Sequence, residues 1–346
     1  MKVDVTSQTD CEGIAQIEVT SDPILWDCYC PRLYQIKASI SEHEATDCVG
    51  FRELNIEENR ILLNGNELFL KGVCCHEESK LNGRALTDAE RQEILTTAKE
   101  LGCNMLRLSH YPHSEKMAQL ADQMGMLLWE EIPVYWALDF ENPSTYENAT
   151  NQMRELILRD RNRASVAIWS VGNENPDSDA RLKFMTEWVN LCKKIDPSRF
   201  VSAACLVDID KMCVKDRLSA HVDIVAFNEY YGWYYRDYEG LAEILDHTVC
   251  DKPLVISETG AGSKCGNFGT DEELFSEEHQ AKMYEKQFAM MDKKAQGVFP
   301  WILFDFRSPV RMNAFQQQHN IKGLAALNHK DKKLAFYMVQ KYYQTK

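Results

Sequence analysis

The feature that most constrains the fold is a regular alternation of strand-like and helix-like segments from about residue 61 to residue 304. Short apolar runs that alternate with amphipathic segments are typical of parallel strands joined by crossover helices. The pattern predicts helices over 87–101, 116–125, 146–163, 178–195, 238–248 and 277–294, and strands over 103–107, 126–131, 166–171, 200–204, 223–227, 253–257 and 298–304. Alternation over this length indicates an α/β fold, a (β/α)8 TIM barrel, rather than a sandwich.

The first 58 residues carry a different pattern. Apolar and polar residues alternate over 14–19, 33–40 and 49–54, with no helix-like segment between them. Such alternation is typical of strands in a β-sandwich, although three or four strands make less than a complete one. We therefore divide the chain into a partial β-sandwich at 1–58 and a barrel at 59–346, which begins with a hairpin around an Asn-Gly turn.

Composition limits the classes of partner and compartment. The 346 residues include 39 Lys and Arg against 53 Asp and Glu, for a net charge of −14, which argues against nucleic acid or an anionic membrane surface as the main partner. The 12 cysteines are irregularly spaced without a CxxC pair, so we expect unpaired thiols in a reducing compartment. The amino terminus has no apolar signal-peptide core and no run is long enough to span a membrane, which predicts a cytoplasmic protein.

Two predicted strands deliver a glutamate to the same rim of the barrel. The strand at 166–171 ends in Gly172-Asn173-Glu174, and the strand at 253–257 ends in Glu258 before a threonine and a glycine. Carboxyl ends of parallel strands are where such folds keep their chemistry. Paired carboxyl groups are what cleavage of a glycosidic bond requires. A single glutamate at a strand end is more often a solvated loop residue or a helix cap, so the flanking residues decide the interpretation.

Those flanking segments carry a family resemblance. The segment 104–112 reads Asn-Met-Leu-Arg-Leu-Ser-His-Tyr-Pro, and 160–165 reads Asp-Arg-Asn-Arg-Ala-Ser before the first of the two strands. Together with Asn173-Glu174 they closely resemble the signature motifs of glycoside hydrolase family 2, which includes β-galactosidases, β-glucuronidases and β-mannosidases. The segments 25–34 and 50–52 resemble the end of the immunoglobulin-like domain that precedes the barrel in that family.

The resemblance implies a retaining β-glycosidase with no cofactor and no metal. In it, Glu174 is the general acid/base, Glu258 is the nucleophile, and Asn173 donates a hydrogen bond to the sugar 2-hydroxyl. The family also carries a jelly-roll domain upstream, so the chain resembles the carboxyl-terminal part of a larger enzyme. A partial immunoglobulin-like β-sandwich followed by a catalytic barrel is the resulting domain prediction.

Further residues of the barrel rim match the family pattern. His110 is expected to line the substrate, and Arg107 is expected to orient Glu258. Trp301, at the end of the predicted eighth strand, is either a platform under the sugar or part of the barrel core. The His76-Glu77 pair at the end of the first strand is either structural or substrate-lining.

The substrate prediction depends on two loops. The aromatic loop 228–234 resembles its β-glucuronidase counterpart, in which Tyr230 touches the nucleophile and Tyr234 approaches the uronate carboxylate. In β-glucuronidases an Asn-x-Lys motif, here Asn320 and Lys322, binds that carboxylate, a task that suits a compact cation. Two further cations are expected to add positive potential to this pocket, namely Arg307 and Arg311.

The favoured function is therefore exo-acting, retaining hydrolysis of terminal β-D-glycosides, and β-glucuronides are the favoured substrates. Three alternatives stay open. A β-galactosidase would use the same two glutamates while Lys322 meets no carboxylate. A catalytically silent fragment or sugar-binding module would bind sugar without turnover, and a metal-dependent barrel hydrolase would use His76, His110 and His113. The sequence does not decide whether the chain forms a homo-oligomer.

Overall fold

Eight parallel strands form a closed barrel in chain order, and the eighth pairs with the first. The computed structural model describes residues 4–235, 237–291 and 294–346. The barrel strands, numbered 1 to 8, are Leu70–Cys75, Met105–Leu108, Leu127–Glu131, Val166–Asn173, Phe200–Cys205, Ile224–Asn228, Leu254–Thr259 and Ala295–Pro300. Closure confirms the predicted TIM barrel and brings all the strand carboxyl ends to one rim.

Helices on the outside of the barrel follow the predicted alternation. Within the described residues they are α1 to α7, with bounds Asp88–Leu101, Glu115–Met124, Pro143–Asp160, Asp179–Ile195, Gly240–His247, Glu277–Met290 and Leu334–Gln344. Strands 5 and 6 are joined by a small antiparallel pair and a 3-10 helix instead, with bounds Val207–Asp208, Cys213–Val214 and Arg217–Ala220. After strand 8, a further antiparallel pair joins Phe306–Arg307 to His319–Asn320.

Helix α1 shows how local sequence sets the bounds of an element. The Thr87 side chain accepts a hydrogen bond from the Glu90 backbone, and the Glu90 side chain bonds back to Thr87, forming a capping box. At the other end Gly102 has a φ of 94°, the left-handed conformation in which glycine meets no Cβ penalty. Both signals are visible in the sequence, and the helix lies where they predict.

Several predicted bounds differ from the structure, and two of these differences have a clear physical reason. Helix α3 begins at Pro143 rather than at 146, because Asn142 caps it and proline suits the first helical position. Strand 8 ends at Pro300, whereas the prediction extended it to 304. The regular strand ends there, although the Trp301 and Leu303 amides still donate to the carbonyls of Thr259 and Cys74. The same residues also bond to the 321–325 segment, as in the bond from the Leu324 amide to the Ile302 carbonyl at 2.8 Å.

The amino-terminal region forms antiparallel strands that fit part of a β-sandwich. Their bounds are Tyr34–Ile40 with His43–Val49, and Leu54–Glu57 with Arg60–Leu63 and Asn66–Glu67. The strand predicted over 14–19 is wrong, since these residues have no regular structure and Ile14 is 60% exposed. An alternating pattern forms a strand only where a neighbour supplies backbone partners and an apolar face, and none of the described residues does so here. The division at residue 58 stays a prediction.

Part of the amino-terminal region is anchored to the barrel end opposite the strand carboxyl ends. Trp26 is fully buried, and its indole N–H donates to the Asp122 carbonyl at 2.8 Å. The Arg52 guanidinium donates to the carbonyls of Val166, Ala164 and Ser198 at 2.6, 3.1 and 3.2 Å. Trp26 therefore shares an apolar cluster with residues of the barrel interior.

All 12 cysteines are unpaired. Among the described residues, no helix has both the length and the apolar character needed to cross a membrane.

Candidate active site

A cavity of about 830 Å³ opens at the carboxyl ends of the barrel strands. The residues predicted from the sequence converge on it. Those that line it are His110, Asn173, Glu174, Tyr230, Tyr234, Glu258, Trp301, Asn320 and Lys322. Arg107 lies directly behind the wall, fully buried.

Glu258, in strand 7, has its carboxyl group fixed from two sides. The Arg107 guanidinium donates to Oε1 at 2.7 Å, and the Tyr230 hydroxyl donates to Oε2 at 2.6 Å. Burial, and next the charge of Glu258, raise the pKa of Tyr230 well above its usual range, so the phenol keeps the proton that it donates. The carboxylate is thus held in one orientation towards the cavity.

Glu174, immediately after strand 4, lies in a different environment. Burial first, and the negative charge of Glu258 second, raise the pKa of Glu174 above its ordinary value. The indole N–H of Trp136 donates to its Oε2 at 3.0 Å. The cavity therefore contains one carboxyl group biased towards its protonated form and another held by two donors, the combination that acid and nucleophilic chemistry require.

Glu131, at the end of strand 3, links the cation behind the site to a histidine of the cavity wall. Its carboxylate accepts from Arg107 at 3.2 Å and from His110 Nδ1 at 2.6 Å. Burial alone would raise the pKa of Glu131, but Arg107 and His110 together outweigh burial and lower the pKa. Because a carboxylate only accepts, His110 Nδ1 carries a proton, and Nε2 lies 3.6 Å from Glu258 Oε1.

Asn173 is oriented by two donors. Its Oδ1 accepts from Arg107 Nη2 at 2.8 Å and from Asn228 Nδ2 at 3.1 Å. With the oxygen occupied, the amide nitrogen is the group left to donate into the cavity, next to Glu174.

Lys322 is 3% exposed, yet its ammonium forms an ion pair with no carboxylate of the described residues within 4.0 Å. Its Nζ donates to the Tyr234 hydroxyl at 2.6 Å and lies 4.3 Å from the centre of the Tyr230 ring. Burial lowers the pKa of Lys322. A buried cation without a paired anion costs stability, and such a site favours an anionic ligand.

The loop that carries Lys322 is held by a buried ion pair beneath it. Lys333 Nζ donates to Asp305 Oδ1 at 2.7 Å and to the Ile321 carbonyl at 3.0 Å, and the Gly323 amide donates to the same Asp305 oxygen at 2.9 Å. A Cβ at Gly323 would lie 2.2 Å from the Asp305 backbone nitrogen, so only glycine permits this approach. Lys322 is therefore positioned by rigid backbone.

The residues with alternative interpretations take different places. Trp301 both lines the cavity, stacked on the His110 ring at 5.0 Å, and belongs to the apolar cluster of the barrel interior. His76 lines the cavity. Glu77 instead bonds to Arg91 at 2.5 Å and to the Ser114 amide at 2.9 Å, which makes it structural.

The two predicted additional cations also differ. Arg311 lines the cavity. Burial is the largest single effect on the Tyr234 pKa and would raise it, but Lys322 and, to a smaller extent, Arg311 together lower the pKa. The Arg307 guanidinium donates to Glu78 at 2.9 Å and to the carbonyls of Ser79 and Lys80. Arg307 is not among the residues that line the cavity, and its ion pair with Glu78 offsets part of its charge. Its contribution to the pocket potential stays a prediction.

The three histidines of the metal alternative do not converge on one point. His76 Nδ1 and His113 Nε2 each bond to the Ser109 carbonyl, at 2.9 and 3.3 Å, while His110 bonds to Glu131. In the part of the chain that the structure describes, no three His, Cys, Asp or Glu side chains are grouped so that they could hold a metal ion.

Sequence reasoning missed several residues of the site: Glu131, Tyr135 and Trp136. A signal existed for Glu131, since it ends a predicted strand as Glu174 and Glu258 do. Trp136 lies in the loop 132–142 after that strand and carries no comparable signal.

The sequence of the barrel matches a known protein family. Residues 54–346 match the model of the glycosyl hydrolases family 2 TIM barrel domain. The chain belongs to glycosyl hydrolase family 2. The match confirms the resemblance that the sequence motifs carry.

Similar proteins of this family are known. The chain is 31% identical to a β-glucuronidase of Streptococcus agalactiae, over 91% of this chain and 57% of that protein. It is 29% identical to the β-glucuronidase of Sus scrofa, over 86% of this chain and 47% of that protein. The chain thus spans about half the length of these relatives.

Solved structures of the family superpose closely. A β-galacturonidase from Eisenbergiella tayi bound to galacturonate matches with a TM-score of 0.85 and 29% identity, over 93% of this chain and 60% of that one. A β-glucuronidase of an uncultured Clostridium species matches with a TM-score of 0.85 and 27% identity, over 94% and 59%.

Proposed function

We propose that this chain carries the catalytic barrel of an exo-acting, retaining β-glycosidase that removes a terminal β-uronic acid, with glucuronides as the preferred substrates. The observation that carries the proposal is the buried Lys322 ammonium, without a carboxylate partner among the described residues, in the same cavity as Glu174 and Glu258. The relatives named β-glucuronidase and β-galacturonidase support the same substrate class.

In the proposed mechanism Glu258 attacks the anomeric carbon while Glu174 transfers its proton to the glycosidic oxygen. The leaving group departs and a glycosyl-enzyme ester remains. Glu174, now ionised, then removes a proton from water, which attacks the anomeric carbon and releases Glu258 with net retention. Asn173 supports this assignment, since its free amide nitrogen is available to the sugar 2-hydroxyl.

Lys322 is proposed to bind the carboxylate of the sugar, with Tyr234 and Asn320 beside it. A charge-assisted hydrogen bond is worth about 1.5–3 kcal/mol, or roughly 10- to 150-fold in kcat/KM. Because the ammonium is already buried, most of its desolvation cost is present in the free enzyme. The substrate carboxylate then meets a cation in surroundings less polar than water, where the attraction between charges is stronger.

The test is the variant Lys322→Met, assayed with 4-nitrophenyl β-glucuronide, β-galacturonide and β-galactoside on the purified chain. We expect turnover of a uronide to fall by at least about tenfold. The melting temperature should not fall and is expected to rise, because an unpaired buried cation is removed. A preference for the galactoside that survives the substitution would reject the uronate assignment while keeping the two glutamates.

Glu258→Ala serves as the matched control for the mechanism, since it removes the nucleophile without touching Lys322. A folded chain that turns over none of the three substrates, yet binds sugar in calorimetry, would support the sugar-binding alternative. Location in the cytoplasm, suggested by the unpaired thiols, stays a proposal.

A further inference from the structure

We propose that Tyr135 and Trp136 form a binding site for the leaving group of the substrate, and that this leaving group presents the face of a ring. We call the two side chains the ring platform. The proposal rests on the proposed function, because it takes Glu174 as the donor of the proton to the leaving group.

The ring platform combines large aromatic surface with exposure. Trp136 is 63% exposed and Tyr135 is 40% exposed, and both line the cavity. Their ring centres lie 5.5 Å apart with nearly perpendicular planes, and the Tyr135 ring lies 5.5 Å from that of His110. An aromatic wall thus runs from His110, beside Glu258, outwards to solvent.

The backbone of Trp136 is fixed in a conformation that a bulky residue seldom adopts. Its φ is 57°, in the left-handed region that costs a non-glycine residue about 1–2 kcal/mol. Its amide donates to the Asn173 carbonyl at 3.0 Å, and its carbonyl accepts from Asn175 Nδ2 at 2.8 Å. Both partners are chain neighbours of Glu174. The fold therefore maintains local strain to keep an exposed indole beside this one carboxyl group.

Contact between the indole and Glu174 fixes where a leaving group must lie. Trp136 Nε1 donates to Glu174 Oε2 at 3.0 Å. If Glu174 gives its proton to the glycosidic oxygen, that oxygen comes within hydrogen-bond distance of the carboxyl group. Whatever is attached to the oxygen then lies next to the indole and Tyr135.

The part of the cavity around Lys322 is unsuited to an uncharged leaving group. Lys322, Asn320 and Arg311 make that part cationic and polar, whereas Tyr135 and Trp136 offer aromatic rings that are 40% and 63% exposed. Aromatic rings stack on flat rings, such as an aryl group or the apolar face of a sugar. An aryl group and a sugar would both present the face of a ring to the platform, one or two bonds from the glycosidic oxygen.

The test compares benzyl and methyl β-glucuronides, because benzyl alcohol and methanol are leaving groups of similar acidity and differ in the ring. Trp136→Gln keeps an N–H donor and removes the ring, whereas Trp136→Phe keeps a ring face and removes the donor. We expect Trp136→Gln to lower kcat/KM for the benzyl substrate five- to tenfold more than for the methyl substrate. Trp136→Phe should keep the benzyl preference and move the alkaline limb of the pH profile upwards, since the Glu174 carboxylate loses a donor.

Equal losses in Trp136→Gln on the benzyl substrate, on the methyl substrate and on a uronide linked to a second sugar would overturn the ring platform. Tyr29→Ala is the control, because Tyr29 is 87% exposed and lies outside the cavity; it should leave the ratio unchanged. The same variants are also assayed with a uronide linked to a second sugar. If Trp136→Gln lowers kcat/KM on that substrate alone, the ring that binds the platform is the face of a sugar.

Failure of the proposed function has a different signature. If the chain hydrolyses galactosides instead of uronides, the same benzyl and methyl pair of galactosides carries the test. If the chain hydrolyses neither uronides nor galactosides, the binding of the benzyl and methyl glucuronides, measured by calorimetry, tests the ring platform. Tighter binding of the benzyl compound that is lost in Trp136→Gln supports the platform, and equal binding overturns it.

Discussion

At Glu174, burial and the negative charge of Glu258 act in the same direction and raise the pKa. Under the proposed mechanism the protonated form is active, so kcat/KM should be maintained below this pKa and lost as the pH rises through it. Replacement of Glu258 by Gln removes one of the two causes. We expect the Glu174 pKa to fall in Glu258→Gln, as measured by carbon-13 NMR titration of the glutamate carboxyl groups.

Glu258→Asp is the control for that titration, because it shortens the side chain and keeps the charge. A Glu174 pKa equally high in Glu258→Gln and in the parent chain would mean that burial alone sets it.

Glu131 is predicted to act on the reaction by positioning Arg107 and His110, without contact to the substrate. In Glu131→Gln the Arg107 guanidinium loses a charged acceptor, and kcat/KM should fall about 10- to 150-fold. A positioning role also predicts that kcat changes more than KM and that the pH profile shifts. Steady-state kinetics over pH measure both effects.

Glu130→Gln is the matched control for Glu131→Gln. Glu130 is the adjacent, equally buried residue, but its carboxyl group lies beside Asp160 instead of Arg107 and His110, and burial followed by the charge of Asp160 raises its pKa well above the usual range. A neutral amide therefore resembles its protonated form, and activity should persist. Similar losses in the two variants would assign Glu131 a merely structural role.

The same adjacent pair shows how far the sequence predicts the site. The rule that a carboxylate at a strand end faces the rim finds Glu174 and Glu258, yet it fits both Glu130 and Glu131. Successive strand residues point to opposite faces, so a one-residue uncertainty in the strand bounds reverses the assignment. Trp136 lay beyond prediction because its conformation depends on Asn173 and Asn175, which are distant in the chain.

Among the elements, helix α1 offers the clearest stability prediction. Thr87→Ala removes the capping hydrogen bond and should cost about 1 kcal/mol in the free energy of unfolding. Gly102→Ala places a Cβ at a φ of 94° and 3.1 Å from the Tyr343 Cβ, so it should cost at least as much. Urea denaturation measures both. Ser114→Thr, which keeps a capping hydroxyl at helix α2, should be nearly neutral.

The bounds of an element could be predicted where a local sequence signal ends it. They could not be predicted where tertiary packing ends it. The caps of α1 and the Asn64-Gly65 turn are local, and both lie where expected. Strand 8 was extended too far because its apolar run continues past Pro300, where the regular strand ends and residues 302–305 bond to 321–325. The 14–19 strand failed for the opposite reason, since a correct alternation had no partner sheet.

For the whole molecule, the contacts of Trp26 and Arg52 divide the amino-terminal region into a part outside the fold and a part within it. Residues 4–22 have almost entirely exposed side chains, whereas Trp26 is fully buried against the barrel. Removal of residues 1–22 should therefore leave the melting temperature nearly unchanged. Removal of residues 1–53 deletes Trp26 and the Arg52 donors and should lower it by many degrees.

Trp26→Ala in the full chain separates packing from chain length, because it removes only the indole. Deleting a buried tryptophan costs about 3–5 kcal/mol, so this variant should reproduce much of the loss seen on removal of residues 1–53. Scanning calorimetry of the two truncated chains, of Trp26→Ala and of the parent chain measures these differences in melting temperature. If Trp26→Ala melted like the parent chain while the longer deletion unfolded, the antiparallel strands and Arg52 would be the stabilising contacts. If removal of residues 1–22 alone were destabilising, that exposed segment would have contacts beyond those in this fold.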